Sequence, residues 1–327
     1  MERQGETKSD VMDKMIEIRR YSHNDIDVWN RFVGDSRNAT FLFNRNYMDY
    51  HSDRFADASV MAYRKGKLCA LLPANIDGDT LWTHQGLTYG GWIIPKSHFD
   101  ANIMLELWDA FMDYCRTIGV KKVVYKPIPY IYSSIPSQED LYALFRHNAV
   151  VKEVNLSSTI DMRNSIGFNM SKRQQLRKTE KIGLKITKSE DYKGFWRILE
   201  DCLQERHSSK PVHTCEEIME LATKFTNNIS LYTISDDEGV QAGVCIFDTG
   251  IVAHSQYTAT TEKARKNYYL TALYDYLINK EFRCRHYFDF GTSNEQHGRV
   301  LNAGLLNQKY SMGGTGVAYT VYEIQVG

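Results

Sequence analysis

An aspartate and a lysine near the C-terminus each stand at the edge of a predicted element. The run His286-Tyr287-Phe288-Asp289-Phe290-Gly291 alternates Asp289 with aromatics and reads as a strand that stops at Gly291. A short helical segment follows, and Lys309 lies just before the pair Gly313-Gly314. Loops at the ends of rigid elements are where sites are usually built. An ammonium beside a glycine turn can be held against a developing oxyanion. A carboxylate between two phenylalanines either clamps an incoming amine and takes its proton, or accepts backbone N–H bonds in the turn at Gly291–Thr292. Both readings of Asp289 stand open at this level, as does a surface lysine ending a helix for Lys309.

A second set of charges lies upstream. Tyr257 opens a strand-to-helix joint that continues Thr260-Thr261-Glu262-Lys263-Ala264-Arg265-Lys266-Asn267-Tyr268-Tyr269. Lys263, Arg265, Lys266 and Asn267 gather at a helix start, where backbone N–H groups receive anions. The run has no glycine to let amides close on a pyrophosphate, and solvated loop charge is the alternative. Arg173 and Arg177 are four apart on the predicted helix Ser171–Lys181, so they share a face that could meet a phosphate. His254, Asn302 and, in the glycine-rich bend His84-Gln85-Gly86-Leu87-Thr88-Tyr89-Gly90-Gly91, His84 and Tyr89 are the remaining candidate substrate contacts. Trp82 and Trp92 flank that bend and could shape an acceptor pocket.

The elements that must position these groups run through one plan twice. In the first half, strands are expected at Met15–Tyr21, Ser59–Tyr63, Leu68–Ile76, Thr80–His84, Gly90–Ile94 and Lys121–Lys126, with Lys65-Gly66 as a hairpin turn. Helices are expected at Asp25–Val33, Asn102–Ile118 and Glu139–His147. The strand Val151–Ile160 leads to a restart near Asp161. The second half then gives helices Ser171–Lys181, Tyr192–His207, Cys215–Thr226 and Asn267–Lys280. Its strands are Leu184–Thr187, Ile229–Ile234, Val240–Asp248, Ile251–Thr258, Tyr287–Phe290 and Val317–Gln325. This order predicts an α+β fold with mixed, mostly antiparallel sheets. The expected organisation is a flexible N-terminus over 1–14, one domain over 15–160 and a second over 161–327.

Composition narrows the function classes. A chain of 327 residues with 43% hydrophobic content can build two cores. Forty basic residues balance forty acidic ones, which argues against wholesale nucleic-acid binding. No apolar run approaches the roughly 18 residues of a membrane span. The six cysteines form no Cys-x-x-Cys pair and read as reduced core thiols, pointing to the cytoplasm. His207, His213 and Cys215 come nearest to a cluster, but their spacing fits no common metal site, so no metal is expected.

The C-terminal run resembles the signature of the FemAB family, tandem-domain relatives of the GNAT N-acyltransferases. There a strand ending in Asp-Phe-Gly precedes a Gly-x-x-x-Asn-x-Gly stretch and a Phe-Lys-x-x-Phe-Gly-Gly stretch. Gly298-Arg299-Val300-Leu301-Asn302-Ala303-Gly304 fits the second piece. Gln308-Lys309-Tyr310-Ser311-Met312-Gly313-Gly314 fits the third, with Gln308 and Met312 in place of aromatics. Ser171 to Gly183 resembles the family's Ser-x-x-x-Arg-x-x-Ile-Arg-x-Ala segment. The resemblance implies two tandem GNAT-like, acyl-CoA N-acyltransferase-like domains. It also implies transfer of an acyl or aminoacyl group from an activated carrier to a small-molecule or cell-wall-precursor amine. Acyl-CoA is the expected donor and aminoacyl-tRNA its rival. Lys309 would stabilise the oxyanion, and the 263–267 joint would hold the carrier. A non-catalytic ligand-binding protein of the same fold is the reading from another class.

Overall fold

The computed structural model describes residues 16–207 and 210–327. The stretch 1–14 read as flexible, and Met15 of the first predicted strand, lie outside the described residues. The chain divides into two compact units, one running to Val154 and including Tyr319–Gly327, the other covering Asn155–Ala318.

The first unit opens with β1 (Ile16–Arg20) and α1 (Ile26–Asp35), followed by the short α2 (Arg45–Met48) and β2 (Ala56–Asp57). β3 (Val60–Arg64) and β4 (Lys67–Leu72) form the expected hairpin, with Lys65 and Gly66 both at positive φ in its turn. Pairing of β1 to β3 completes a three-stranded sheet. The strand expected over Leu68–Ile76 is instead two. Pro73 removes a ladder donor, and β5 (Asn75–Asp77) pairs elsewhere, with β2 and β6 (Thr80–Trp82). Gly90–Ile94 contributes only an isolated bridge, Leu71 to Ile93. β7 (Lys122–Tyr125) runs parallel to β6 and antiparallel to the end of the last strand, β16 (Thr315–Gln325). The helix α3 (Ala101–Thr117) starts on the Asp100 cap and lays Leu107, Trp108, Phe111 and Cys115 into the core beside Trp92 and Tyr125. α4 (Glu139–Arg146) closes this unit.

The second unit is built on strands in the order β8-β13-β12-β11-β10-β9. They are β8 (Val150–Asp161, entering this unit at Asn155), β9 (Ile186–Ser189), β10 (Ile229–Asp236), β11 (Gly239–Asp248), β12 (Val252–Thr260) and β13 (Tyr287–Thr292). Every neighbouring pair is antiparallel except β12 with β13. A parallel pair needs a long crossover. Here it is made by α8 (Glu262–Lys266), α9 (Tyr269–Tyr276) and a π-helical turn, Leu277–Glu281. One helix was expected over Asn267–Lys280. Thr261 caps an earlier start, accepting the Ala264 N–H, and Tyr268 at φ 62° breaks the chain between α8 and α9. Ala253, Phe288, Phe290, Leu273, Tyr274 and Leu277 form one buried cluster. The helices α5 (Met170–Glu180), α6 (Tyr192–His207), α7 (Cys215–Lys224) and α10 (Ala303–Ser311) complete this unit with a two-stranded ribbon, β14 (Asn294–Glu295) and β15 (Val300–Leu301).

Two features of the sheet matter for function. The ladder between β12 and β13 contains only Val252–Tyr287, Ala253–Phe288 and His254–Asp289, although both strands run on beyond it. The strands therefore part at His254 and Asp289. β12 is also bulged against β11 just past this point, between the Cys245 and Ile246 pairs.

Phe288 is fully buried and its ring lies 5.2 Å from Phe290. Phe288→Ala should destabilise the second unit by roughly 3–5 kcal/mol. A urea transition followed by far-UV circular dichroism checks this, and an unchanged midpoint would exclude Phe288 from the core.

Candidate functional site

Asp289 lies deep in the second unit, with no exposed surface. Alternation along β13 turns it away from the face of Phe288 and Phe290, towards Thr159, its partner on β8. Its Oδ1 accepts from Ser157 Oγ at 2.5 Å, from Thr159 Oγ1 at 2.8 Å and from the Gly291 N–H at 3.3 Å. Its Oδ2 lies 2.8 Å from His254 Nδ1. Burial alone pushes this carboxyl up. The His254 ring and the two hydroxyls outweigh that and hold it well below the usual carboxylate range. Asp289 thus meets other groups through His254, whose side chain keeps 14% of its surface.

Lys309 sits in the last turn of α10 and is buried, not on the surface. Its Nζ donates to the carbonyls of Gly291 at 2.9 Å and Thr292 at 2.7 Å. The ammonium is therefore tethered to the turn that ends β13. Burial pulls its pKa down to about 8, against the upward pull of Asp289. Asn302 caps α10, its Oδ1 accepting the Leu305 N–H at 3.0 Å while its amide donates to Glu295. It fixes the helix that carries Lys309.

Asp289, Lys309 and His254 thus meet at the point where the strands part. Ser157 and Thr159 complete this cluster, and sequence reasoning missed them. The available signal was the alternation of hydroxyls in Ser157-Ser158-Thr159, two of which face one side of a strand.

The joint after β12 is arranged differently from its expected reading. Lys263 is exposed and held by Asp236 at 2.8 Å and Glu238 at 2.9 Å. Lys266 pairs with Glu262, and Asn267 bonds back to the Lys263 carbonyl. The Tyr257 hydroxyl is 2.6 Å from His213 Nδ1, under Trp196. Arg265 alone of this set lines a cavity of about 380 Å³, with Lys172 and Gln175 of α5, Tyr268 of the joint and Asn307 and Gln308 of α10. Lys172 was not among the expected contacts. Its Nζ reaches Thr271 Oγ1 at 3.3 Å, and burial lowers its pKa. Arg173 and Arg177 lie on the exposed side of α5, and Arg173 Nε donates to the Phe168 carbonyl. A larger cavity, about 660 Å³, lies by Lys188, Tyr192, Met219 and Leu231 and holds no member of this cluster.

His84 and Tyr89 are buried in the first unit. His84 packs against Phe55 and His51, and burial holds its pKa down to about 3, with His51, Lys126 and Arg45 adding to the effect. The Tyr89 hydroxyl donates to Thr40 and its ring packs on Tyr132. Among the described residues no group of three or more His, Cys, Asp or Glu side chains could hold a metal ion. No described helix is long and apolar enough to cross a membrane.

Residues 170–299 match the family described as an acetyltransferase (GNAT) domain. No curated protein matches the sequence. Among solved structures, FemX is similar with a TM-score of 0.69 at 10% identity, over 94% of this chain and 96% of that one. The C-terminal domain of a putative lysylphosphatidylglycerol synthetase from Agrobacterium fabrum gives 0.58 at 12% identity, over 92% and 91%. A tandem GNAT protein from the clavulanic acid biosynthesis pathway gives 0.51 at 11% identity, over 95% and 99%. The α+β fold is therefore similar to that of FemX and of a tandem GNAT protein, and the match to a GNAT domain falls within the second unit.

Lys309 gives this site a pH signature. An unfolded lysine holds its proton up to about pH 10.4, whereas the folded group releases it near pH 8. Between those values the unfolded chain binds more protons, so this group's contribution to stability rises with pH. The stability of wild type minus that of Lys309→Met should therefore increase across that window in denaturant titrations. A difference that stays flat would mean that the ammonium is not desolvated.

Proposed function

We propose that this chain is a FemAB-like tandem GNAT N-acyltransferase that moves an acyl or aminoacyl group from an activated, phosphate-bearing carrier to a small-molecule or cell-wall-precursor amine, with acyl-CoA as the donor. The observation that carries the reading is the tethered ammonium of Lys309. Two of its N–H groups are committed to the carbonyls of Gly291 and Thr292, which leaves a third, in fixed position, for an oxyanion. Little reorganisation is then needed when charge develops on the substrate. A thioester or ester is already activated, so the protein need only hold the amine against the carbonyl and stabilise the tetrahedral intermediate.

The cavity bearing Lys172 and Arg265, lined also by Gln308, the sequence neighbour of Lys309, would take the carrier's phosphates. One observation favours aminoacyl-tRNA as a second reading. The joint has no glycine, and the Thr261 hydroxyl takes the Ala264 amide of α8. One backbone donor that would otherwise face a pyrophosphate is thereby used within the turn.

Calorimetry against acetyl-CoA, longer acyl-CoAs and charged tRNA separates the donors. The true carrier should bind less tightly to a Lys172→Gln, Arg265→Glu double variant, with the larger loss at low salt, where screening is least. Lys309→Ala should keep that binding and lower turnover by about 3 kcal/mol in barrier, on the order of a hundredfold. If no activated carrier binds, the chain is a ligand-binding protein without turnover and the transfer reading falls.

A further inference from the structure

We infer that His254 is the base that takes the proton from the attacking amine, with Asp289 as the residue that positions it; this rests on the acyl-transfer reading of the same site. His254 is the last residue of β12 paired to β13, and the strands part directly beyond it. Its Nδ1 lies 2.8 Å from Asp289 Oδ2. The carboxylate is held ionised by its hydrogen bonds, so it can only accept. The ring hydrogen of a neutral His254 is thereby placed on Nδ1, and the lone pair falls on Nε2. Asp289 itself has no exposed surface, and the imidazole is the part of the pair that a substrate can reach.

The turn after Asp289 serves both partners of the reaction. Gly291 is at φ 77°, and a Cβ there would lie 3.3 Å from His254 Cε1, the atom between the two ring nitrogens. A side chain there would press on that atom. The carbonyls of Gly291 and Thr292 hold Lys309 Nζ. Base and oxyanion donor are therefore fixed to one turn, the base by its carboxylate partner and the ammonium by its carbonyls. The carboxylate that faces the ring is that of Asp289 from β13, backed by the hydroxyls of Ser157 and Thr159 from β8, and Lys309 from α10 interacts electrostatically with that same carboxylate.

In the step this arrangement supports, the amine nitrogen forms a bond to the donor's carbonyl carbon and the carbonyl π pair moves onto oxygen, opposite the Lys309 ammonium. The amine's proton passes to His254 Nε2. Collapse of the intermediate re-forms the carbonyl and breaks the bond to the carrier, which leaves with the electron pair. The imidazolium returns its proton to that leaving sulfur or oxygen, and His254 is neutral again. No further reactant is required.

Nitrogen-15 spectra of the His254 ring test the assignment without any substrate. In the neutral ring of wild type the hydrogen should sit on Nδ1, and Asp289→Asn should move the preference towards Nε2. A hydrogen on Nε2 of the neutral wild-type ring would overturn the inference, because that nitrogen could not then receive the amine's proton. With a donor in hand, His254→Ala should lower kcat by about 10²–10⁴-fold with the donor's KM little changed, and added imidazole should restore part of the rate. A His254→Ala enzyme as fast as wild type would also overturn it. A wild-type protein that transfers from no carrier would sink the acyl-transfer reading, while the ring spectra would still decide the tautomer.

Discussion

A carboxylate withdrawn from all water must be met by donors or lose its charge, and the second unit is arranged around meeting that demand for Asp289. An unpaired buried charge costs several kcal/mol even after the surroundings relax. The donors come from three directions: Ser157 and Thr159 on β8, His254 on β12, and the amide of Gly291 in its own turn. One carboxylate thereby fixes β8 and β12 on either side of β13. It also fixes the point at which β12 and β13 separate, since His254 and Asp289 are the last pair of their ladder. The opening in the sheet and the polar cluster beside it are one feature.

Lys309 faces the complementary problem. A buried ammonium is disfavoured, and its pKa drops accordingly. The register between β13 and β8 shifts after Asp289, so that Phe290 and Gly291 drop out of the ladder before Thr292 resumes it opposite Ser157, and the carbonyls of Gly291 and Thr292 turn to Lys309. The irregularity that ends the strand thus creates the acceptors that hold the lysine. α10 brings the lysine to them, and Asn302 caps that helix. Two desolvated opposite charges gathered in so few residues mark this cluster as the candidate site.

How far this could be read from the chain varies with the range of the interactions. Asp289 and Lys309 were legible as candidates because alternation and glycine turns are local signals. The Lys65-Gly66 hairpin and the core face of α3 were legible for the same reason. The partnership of His254 with Asp289 was not, because it depends on a parallel pairing across a crossover that contains two helices. Ser157 and Thr159 join from more than a hundred residues away. Local chemistry also had two uses that composition does not separate. Asn302 reads as a substrate contact, and in the structure it caps α10. Lys263 reads as part of an anion site or as solvated loop charge, and Asp236 and Glu238, brought round by the β10–β11 hairpin, engage it. The split between α8 and α9 was signalled by Thr261 as a cap, but the left-handed residue at the break is Tyr268, not a glycine, and bulky residues seldom announce that conformation.

The joint between β12 and α9 bears on how a carrier is chosen. A glycine-rich turn presents backbone amides at fixed spacing, and amides discriminate sharply by geometry. Here Thr261 takes the Ala264 amide, and two of the three cations of the turn are paired with neighbouring carboxylates. The positive charge that faces the cavity comes instead from the side chains of Lys172 and Arg265, on different helices. Side-chain cations have rotatable stems and accept phosphates in more than one arrangement. In the proposed transfer, two such side chains in place of a backbone cradle would relax recognition of a pyrophosphate while keeping an attraction to polyanionic carriers, and donor choice would fall to the acyl end, beside Lys309 and His254.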